Sequence, residues 1–170
     1  SKSMLVGPDT DEAPATHTRI TYHHNWYDHV SRRGPQFAYG LADYFNNLQQ
    51  GWYEFGAASN QLAQFLSEAN IYEARPGAFC PPWDPWPDPN SPTGDSDWEV
   101  SKAGLVSAWA TDEGGFIRSV GDVSLNDARV EERSPERVFR RETFYTVDVE
   151  PGALPRRWRA GGRAGPPGPP

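Results

Sequence analysis

Three asparagines constrain this chain more than any other feature. When ITYHHNWY (20–27), ADYFNNLQ (42–49) and FLSEANIY (65–72) are aligned, Asn25, Asn47 and Asn70 share one position, with intervals of 22 and 23 residues. A short β-prone run precedes each Asn. A period between about 20 and 50 residues marks a solenoid or array, and helical-pair repeats run longer, at about 33–47 residues. The leucine spacing of a leucine-rich repeat is absent. What remains is a parallel β-helix, whose coils stack at about 4.8 Å so that equivalent side chains form ladders. An Asn ladder suits the inside of a bend, because each amide offers both a donor and an acceptor and a stack satisfies itself. Asn also tolerates left-handed backbone, so the Asn itself is expected to make the turn.

Composition narrows the rest. The 170 residues amount to about one domain, with 36% hydrophobic residues and 13% aromatics, enough for a folded core. No apolar run is long enough for a membrane helix. The single cysteine, Cys80, excludes a disulfide framework and a cysteine-rich zinc site. A net charge of −7 argues against nucleic-acid binding. Residues 75–98 hold seven Pro, four Asp and three Trp, so that stretch is read as a loop between coils, not helix or central strand. Strand-like pieces return in GGFIRSVGDVSL (114–125) and ETFYTVDV (142–149). The tail PRRWRAGGRAGPPGPP (155–170) is of low complexity and is expected to be disordered.

The segments KSMLVGPD (2–9), ITYHHNWY (20–27), SRRGP (31–35), YFNN (44–47) and FLSEANIY (65–72), in this order and spacing, resemble the pectate and pectin lyases of polysaccharide lyase family 1. GGFIRSVGDVSLNDA (114–128) resembles a later strand of that family. The resemblance implies an all-β fold, a right-handed single-stranded parallel β-helix, in agreement with the repeat. It implies that residues 1–154 are the C-terminal part of such a domain, with 76–98 a Pro/Trp/Asp-rich loop and 155–170 a tail.

The implied chemistry is β-elimination on an α-1,4-linked uronic acid polymer. A base removes the C5 proton, α to the carboxyl group, and the C4–O bond breaks. This needs a positioned base and positive charge for the enolate-like transition state. Arg33, two residues before Pro35, matches the family's catalytic Arg. Arginine is ordinarily always protonated, so neighbouring cations must favour its neutral form; otherwise its charge serves the developing oxyanion. Lys2 matches a substrate-carboxylate contact, a task suited to a compact point charge, and Arg32 is placed with it as substrate-binding. The family uses Ca²⁺, held by oxygen ligands, and the resemblance puts those ligands upstream of this chain. Asp9, Asp11 and Glu12 read as a solvated loop, and no metal ligand is assigned.

One departure concerns specificity. Pectate lyases carry a second Arg five residues after the first, where this chain has Ala38. Loss of a bidentate carboxylate donor points toward methylated pectin as the alternative to polygalacturonate. A zinc site built from His17, His23, His24 and His29 is not expected, since His23 and His24 as strand neighbours would face opposite sides.

The expectation is therefore a secreted, monomeric, Ca²⁺-dependent lyase acting on a pectic polysaccharide, with no nucleic-acid or membrane partner. Two other classes compete, a non-catalytic carbohydrate-binding β-helix and a structural solenoid that keeps the Asn ladder without Arg33. Because a solenoid cut between coils leaves an open edge, the chain by itself is expected to be weakly stable and poorly active.

Overall fold

The computed structural model describes residues 3–7, 18–30, 33–52, 55–74, 106–110 and 114–150. Its strands wind as a parallel β-helix, each full coil contributing one strand to each of three sheets. The first coil supplies β1 (Leu5–Val6), β2 (Arg19–His23) and β3 (Trp26–Val30), and the second β4 (Gln36–Ala38), β5 (Leu41–Phe45) and β6 (Leu48–Trp52). The third supplies β7 (Ala57–Asn60), β8 (Gln64–Glu68) and β9 (Ile71–Glu73). The fourth supplies β10 (Val106–Ala110), β11 (Phe116–Val120) and β12 (Val123–Leu125), and β13 (Arg129–Val130) opens a fifth. The sheets run β1-β4-β7-β10-β13, β2-β5-β8-β11 and β3-β6-β9-β12, all with parallel pairing.

The period-2 alternation of each strand points every second side chain inward, and the register stacks like on like. Ile20, Ala42, Phe65 and Ile117 form one inward row, and Tyr22, Tyr44, Ser67 and Ser119 the next. Phe37, Phe65 and Tyr44 are tilted against one another, with centroids 5.2 Å and 5.5 Å apart in successive pairs. These rings and Tyr72, all fully buried, fill the lumen. Among the described residues aromatic rings thus supply much of the core, while Trp26, Phe144 and Tyr145 remain exposed.

The asparagine ladder is continuous and one rung longer than the sequence repeat. Asn25 Nδ2 donates to Asn47 Oδ1 at 3.0 Å, Asn47 Nδ2 to Asn70 Oδ1 at 2.9 Å, and Asn70 Nδ2 to Asp122 Oδ1 at 3.0 Å. The backbone N–H of each Asn donates to the same acceptor oxygen in the next coil. Each rung therefore also satisfies a backbone donor stranded at the bend. The left-handed residue is not the ladder Asn, as expected, but the one before it. His24, Asn46, Ala69 and Gly121 have φ of 56°, 51°, 52° and 63°. The turn thus takes its strain at a position open to several residue types, and the ladder Asn is spared the left-handed backbone.

Asp122 ends the ladder as a pure acceptor, its second oxygen taking the Ser119 hydroxyl at 2.7 Å. Burial pushes its carboxyl up, against the lowering effect of the Ser67, Ser119 and Asn70 hydrogen bonds. The folded state then holds the proton more tightly than the unfolded state, so the associated stability is present below the ordinary value of 3.8 and is lost as pH rises through the folded value. Asp122→Asn keeps the accepting oxygen and removes the buried charge. It is expected to hold or raise stability at neutral pH and to remove this part of the gain on acidification, measured by urea denaturation across the acid range. A large loss at neutral pH would show that the charge itself is needed.

After β13 the chain turns back. Arg133 pairs antiparallel with Ile117 on the free edge of β11, with N–H···O distances of 3.0 Å and 3.2 Å. Residues 134–150, with two short 3₁₀ turns at Pro135–Arg137 and Arg141–Thr143, then cross the outer face of the β2-β5-β8-β11 sheet. They travel against the direction in which the coils were laid down. Val138 packs on Leu66 and Phe116, and Glu150 meets Asn46, whose amide exchanges hydrogen bonds with the Glu150 backbone. The two asparagines of YFNN thus divide the work: Asn47 is a rung, and Asn46 anchors the return segment.

Candidate functional site

Arg33 lies where the second coil enters β4. Its φ is 60°, and it is followed by a cis Gly34–Pro35 bond. The backbone around it is tied to both neighbouring coils. The Met4 N–H donates to the Arg33 carbonyl at 2.9 Å, and the Gln36 N–H to the Met4 carbonyl at 3.0 Å. On the other side the Gly34 N–H donates to the Gly56 carbonyl at 2.5 Å. The buried Gln49 amide reaches the Gly34 carbonyl at 2.9 Å. The K-x-M-L and R-x-P words of the sequence therefore meet through main-chain hydrogen bonds, which fix where the Arg33 side chain starts.

That side chain is half-buried, and its Nε is enclosed without a hydrogen-bond partner among the described residues. A buried guanidinium donor left unpaired is unfavourable. On the same sheet, Ala38 pairs in register with Asn60. Ala38 is 2% exposed, so no cation stands where the resemblance would put a second Arg. Gln36 Oε1 and Asn60 Oδ1, on this sheet too, also lack partners among the described residues. Lys2 and Arg32 lie outside the described residues, as do Asp9, Asp11, Glu12, His17, the loop 76–98 with Cys80, and the tail 155–170.

A second polar cluster sits under the return segment. Arg141, 5% exposed, donates from Nε and an Nη to the two oxygens of Asp43, each at 2.6 Å, and from its other Nη to Glu68 at 2.5 Å. Burial opposes the charge on Arg141, but the Asp43 and Glu68 carboxylates outweigh it and hold its pKa above the ordinary arginine value. The Tyr145 hydroxyl also reaches Asp43; burial, then the Asp43 hydrogen bond, push that phenol up. Beside this cluster, and lined in part by its Asp43 and Tyr145, is a cavity of about 270 Å³ whose other walls are Arg19, Ile20, Thr21, Leu41, Phe139 and Phe144. Both Asp43 oxygens are taken by Arg141, so the cluster works as a fastener.

His23 and His24 depart from their expected arrangement. They do not face opposite sides of the coil. The left-handed backbone of His24 ends the strand alternation, and the two Nδ1 atoms lie 2.8 Å apart. Among the described residues no three His, Cys, Asp or Glu side chains gather into a metal-holding group. The described residues therefore hold no group that would serve as calcium ligands, which the resemblance puts upstream of this chain. No helix among the described residues is long and apolar enough to cross a membrane.

Two functional features escape a reading of the sequence alone. Asp122 occupies the ladder position of IRSVGDVS (117–124), which aligns with the three Asn motifs once Asp is accepted for Asn. The Arg141 fastener joins residues 98 positions apart in the chain, and no local pattern announces it.

Comparison with known proteins gives a consistent picture. The sequence pattern of the family described as pectate lyase matches residues 1–88, slightly more than half of the chain. Among curated proteins, a pectate trisaccharide-lyase of Bacillus licheniformis is 36% identical over 73 residues, covering 42% of this chain and 20% of that protein. Pectate lyase C of Dickeya chrysanthemi is 38% identical over 68 residues, covering 40% of this chain and 18% of that protein. The matched part thus spans about a fifth of the length of either relative. No solved structure matches the chain.

Proposed function

The chain belongs to the pectate lyase family, and from that premise we propose that it carries the arginine-bearing part of an enzyme that cuts a pectic polysaccharide by β-elimination. The observation that carries this reading is Arg33, held by main-chain bonds to two neighbouring coils, with a guanidinium donor that no described residue uses. In the reaction the C5 proton leaves, electron density moves onto the C6 carboxyl group and then forms the C4=C5 double bond as the C4–O bond breaks, and the departing oxygen takes a proton from water to become a hydroxyl on the other fragment. Arg33 is assigned the proton abstraction, or the stabilisation of the developing oxyanion from the same position. Lys2 and Arg32 are assigned the substrate carboxyl groups. As an enzyme acting on a polymer, it is assigned to the outside of the cell.

Two relatives, named for pectate, support polygalacturonate as the substrate. A second reading, methyl-esterified pectin, is favoured by Ala38, which removes a guanidinium from the face where a free carboxylate would need one.

Ultraviolet detection of unsaturated uronides, in the complete natural polypeptide, tests both readings. Polygalacturonate and methylated pectin are compared, each with added calcium and with chelator. Arg33→Ala is expected to lower kcat by about 10²–10³-fold on the preferred substrate, the scale of losing one transition-state donor, with a much smaller change in KM. Undiminished turnover in the variant would sink the assignment of Arg33. Faster turnover of methylated pectin, indifferent to chelator, would select the second reading.

A further inference from the structure

The cavity of about 270 Å³ beneath the return segment lies on the outer face of the β2-β5-β8-β11 sheet, a different sheet from the one that Arg33 enters. Its floor is Arg19 and Thr21 of β2 with Leu41 and Asp43 of β5, and its roof is Phe139, Phe144 and Tyr145. Leu41 and the two Phe rings make it largely apolar. A cavity of about 150 Å³ lined by Leu, Ile and Phe is already enough to take benzene. Two polar features interrupt these walls. The first is Arg19, which is exposed and whose guanidinium lies over the Phe144 ring at 4.4 Å. Among the described residues no carboxylate pairs with it. The second is the hydroxyl pair of Thr21 and Tyr145, 2.9 Å apart, whose direction follows from their neighbour. Both Asp43 oxygens accept from Arg141, and the Tyr145 hydroxyl donates to Asp43. A phenol has one proton to give, so the Thr21 hydroxyl donates to the Tyr145 oxygen. Thr21 Oγ is left as an acceptor on the cavity wall.

We propose that this cavity binds a small aromatic carboxylate that also bears a hydroxyl, with the ring against Leu41, Phe139 and Phe144, the carboxylate on Arg19 and the hydroxyl donating to Thr21 Oγ. Each part of the ligand answers a part of the wall. The arginine fork matches the geometry of a carboxylate. A donor is required opposite Thr21, whose own proton is already committed to Tyr145. A flat apolar body fills the remaining space and packs on the rings offset or edge-on. A uronic acid would bring the carboxylate but also hydroxyls around its whole rim. The apolar walls would leave most of those unpaired, which is costly out of water, so the aromatic acid is favoured over a second sugar site. Floor and roof come from distant parts of the chain, and the bound acid ties the return segment to β2 beside the Thr21–Tyr145 bond. Occupancy therefore stabilises the folded chain by mass action and does not involve Arg33.

The test is calorimetric titration of the 170-residue chain with para-hydroxybenzoate. One equivalent is expected, with a Kd of about 1 mM or tighter for a ligand of this size. The melting temperature should rise with its concentration, and amide hydrogen exchange should slow in residues 139–145. The neutral para-hydroxybenzyl alcohol is expected to bind about 10–100-fold more weakly, the scale of a charge-assisted hydrogen bond. Arg19→Met keeps an apolar stem and removes the charge, so it should lower the affinity for the acid to that for the alcohol. Thr21→Val is expected to weaken para-hydroxybenzoate by about 2–10-fold and to leave benzoate unchanged. Both positions are exposed, and circular dichroism of each variant should match the parent. Failure to saturate at millimolar acid, equal affinity of the parent for acid and alcohol, undiminished affinity in Arg19→Met, or protection confined to residues outside 139–145 overturns the proposal. Tighter binding of galacturonate than of the aromatic acid overturns it as well and makes the cavity a sugar site instead.

Discussion

Replacing Arg141 by alanine is expected to destabilise the protein by about 3–5 kcal/mol, the scale of stranding a buried charge by removing its partner. Asp43 would lose both of its guanidinium hydrogen bonds while 3% exposed, and Glu68 would lose its own. Equilibrium denaturation gives the number. The effect should be specific to the charge left behind. Adding Asp43→Asn to Arg141→Met is expected to recover more than half of the loss, because a buried ion pair replaced by neutral groups of similar volume is often close to neutral. If Arg141→Ala alone changes stability by less than about 1 kcal/mol, the pair behaves like an exposed one and the fastener assignment fails.

Asn47→Ala is the second large effect, expected at about 3–6 kcal/mol, since each buried polar group left without a partner is worth about 1–3 kcal/mol. Asn47 Oδ1 accepts from the backbone and the side chain of Asn25, both at 3.0 Å. Its Nδ2 faces the carbonyls of Phe45 and Tyr22 at 3.0 Å and 3.1 Å, besides the Asn70 rung. No water reaches a side chain that is 0% exposed. Asn25→Ala is the comparison. It removes the outermost described rung, which is only half-buried, and leaves Asn47 Oδ1 served by the Asn25 backbone, so about 1 kcal/mol is expected. Equal losses at the two positions would show that the ladder acts only through local turn geometry.

The ladder was legible because its chemistry repeats in the one-letter code. The near-equal spacing of Asn25, Asn47 and Asn70 sufficed to predict parallel coils and an amide stack. What that reading missed follows from the same chemistry. A terminal rung needs only to accept, so Asp122 serves as well as Asn and breaks the pattern of letters without breaking the pattern of hydrogen bonds. The left-handed residue had no fixed letter to find, being His, Asn, Ala and Gly in successive coils. The intervals also hid the fourth rung, which stands 52 residues after the third because of the long loop between them.

The return segment was misread: ETFYTVDV (142–149), expected as a strand-like piece, carries no strand. Its sequence, EERSPERVFRRETFYTVDVE (131–150), is rich in charge, and charged residues are mostly solvated. The burial of Arg141 depends on Asp43 and Glu68 lying on adjacent strands, β5 and β8, which only the wound chain provides. Arg33 was legible as a letter in R-x-P, but not as a braced position. Its hydrogen bonds to Met4 and, through Gly34, to Gly56 are main-chain contacts that any residue types could make.

The return segment has a consequence for how the molecule comes apart. A solenoid whose coils touch only their neighbours unravels coil by coil, and damage at one end is not felt at the other. Here one stretch of chain pairs with β11, bonds to β8 and β5 through Arg141, and bonds to β2 through Tyr145 and Thr21. The coils then lose independence. Detaching one requires peeling the segment from the others, so opening should be all-or-none across them. The contacts that secure this link residues 73 to 124 positions apart, and such long loops close late. Folding should be slow, with the final docking of residues 134–150 converting a stack of coils into a cooperative unit.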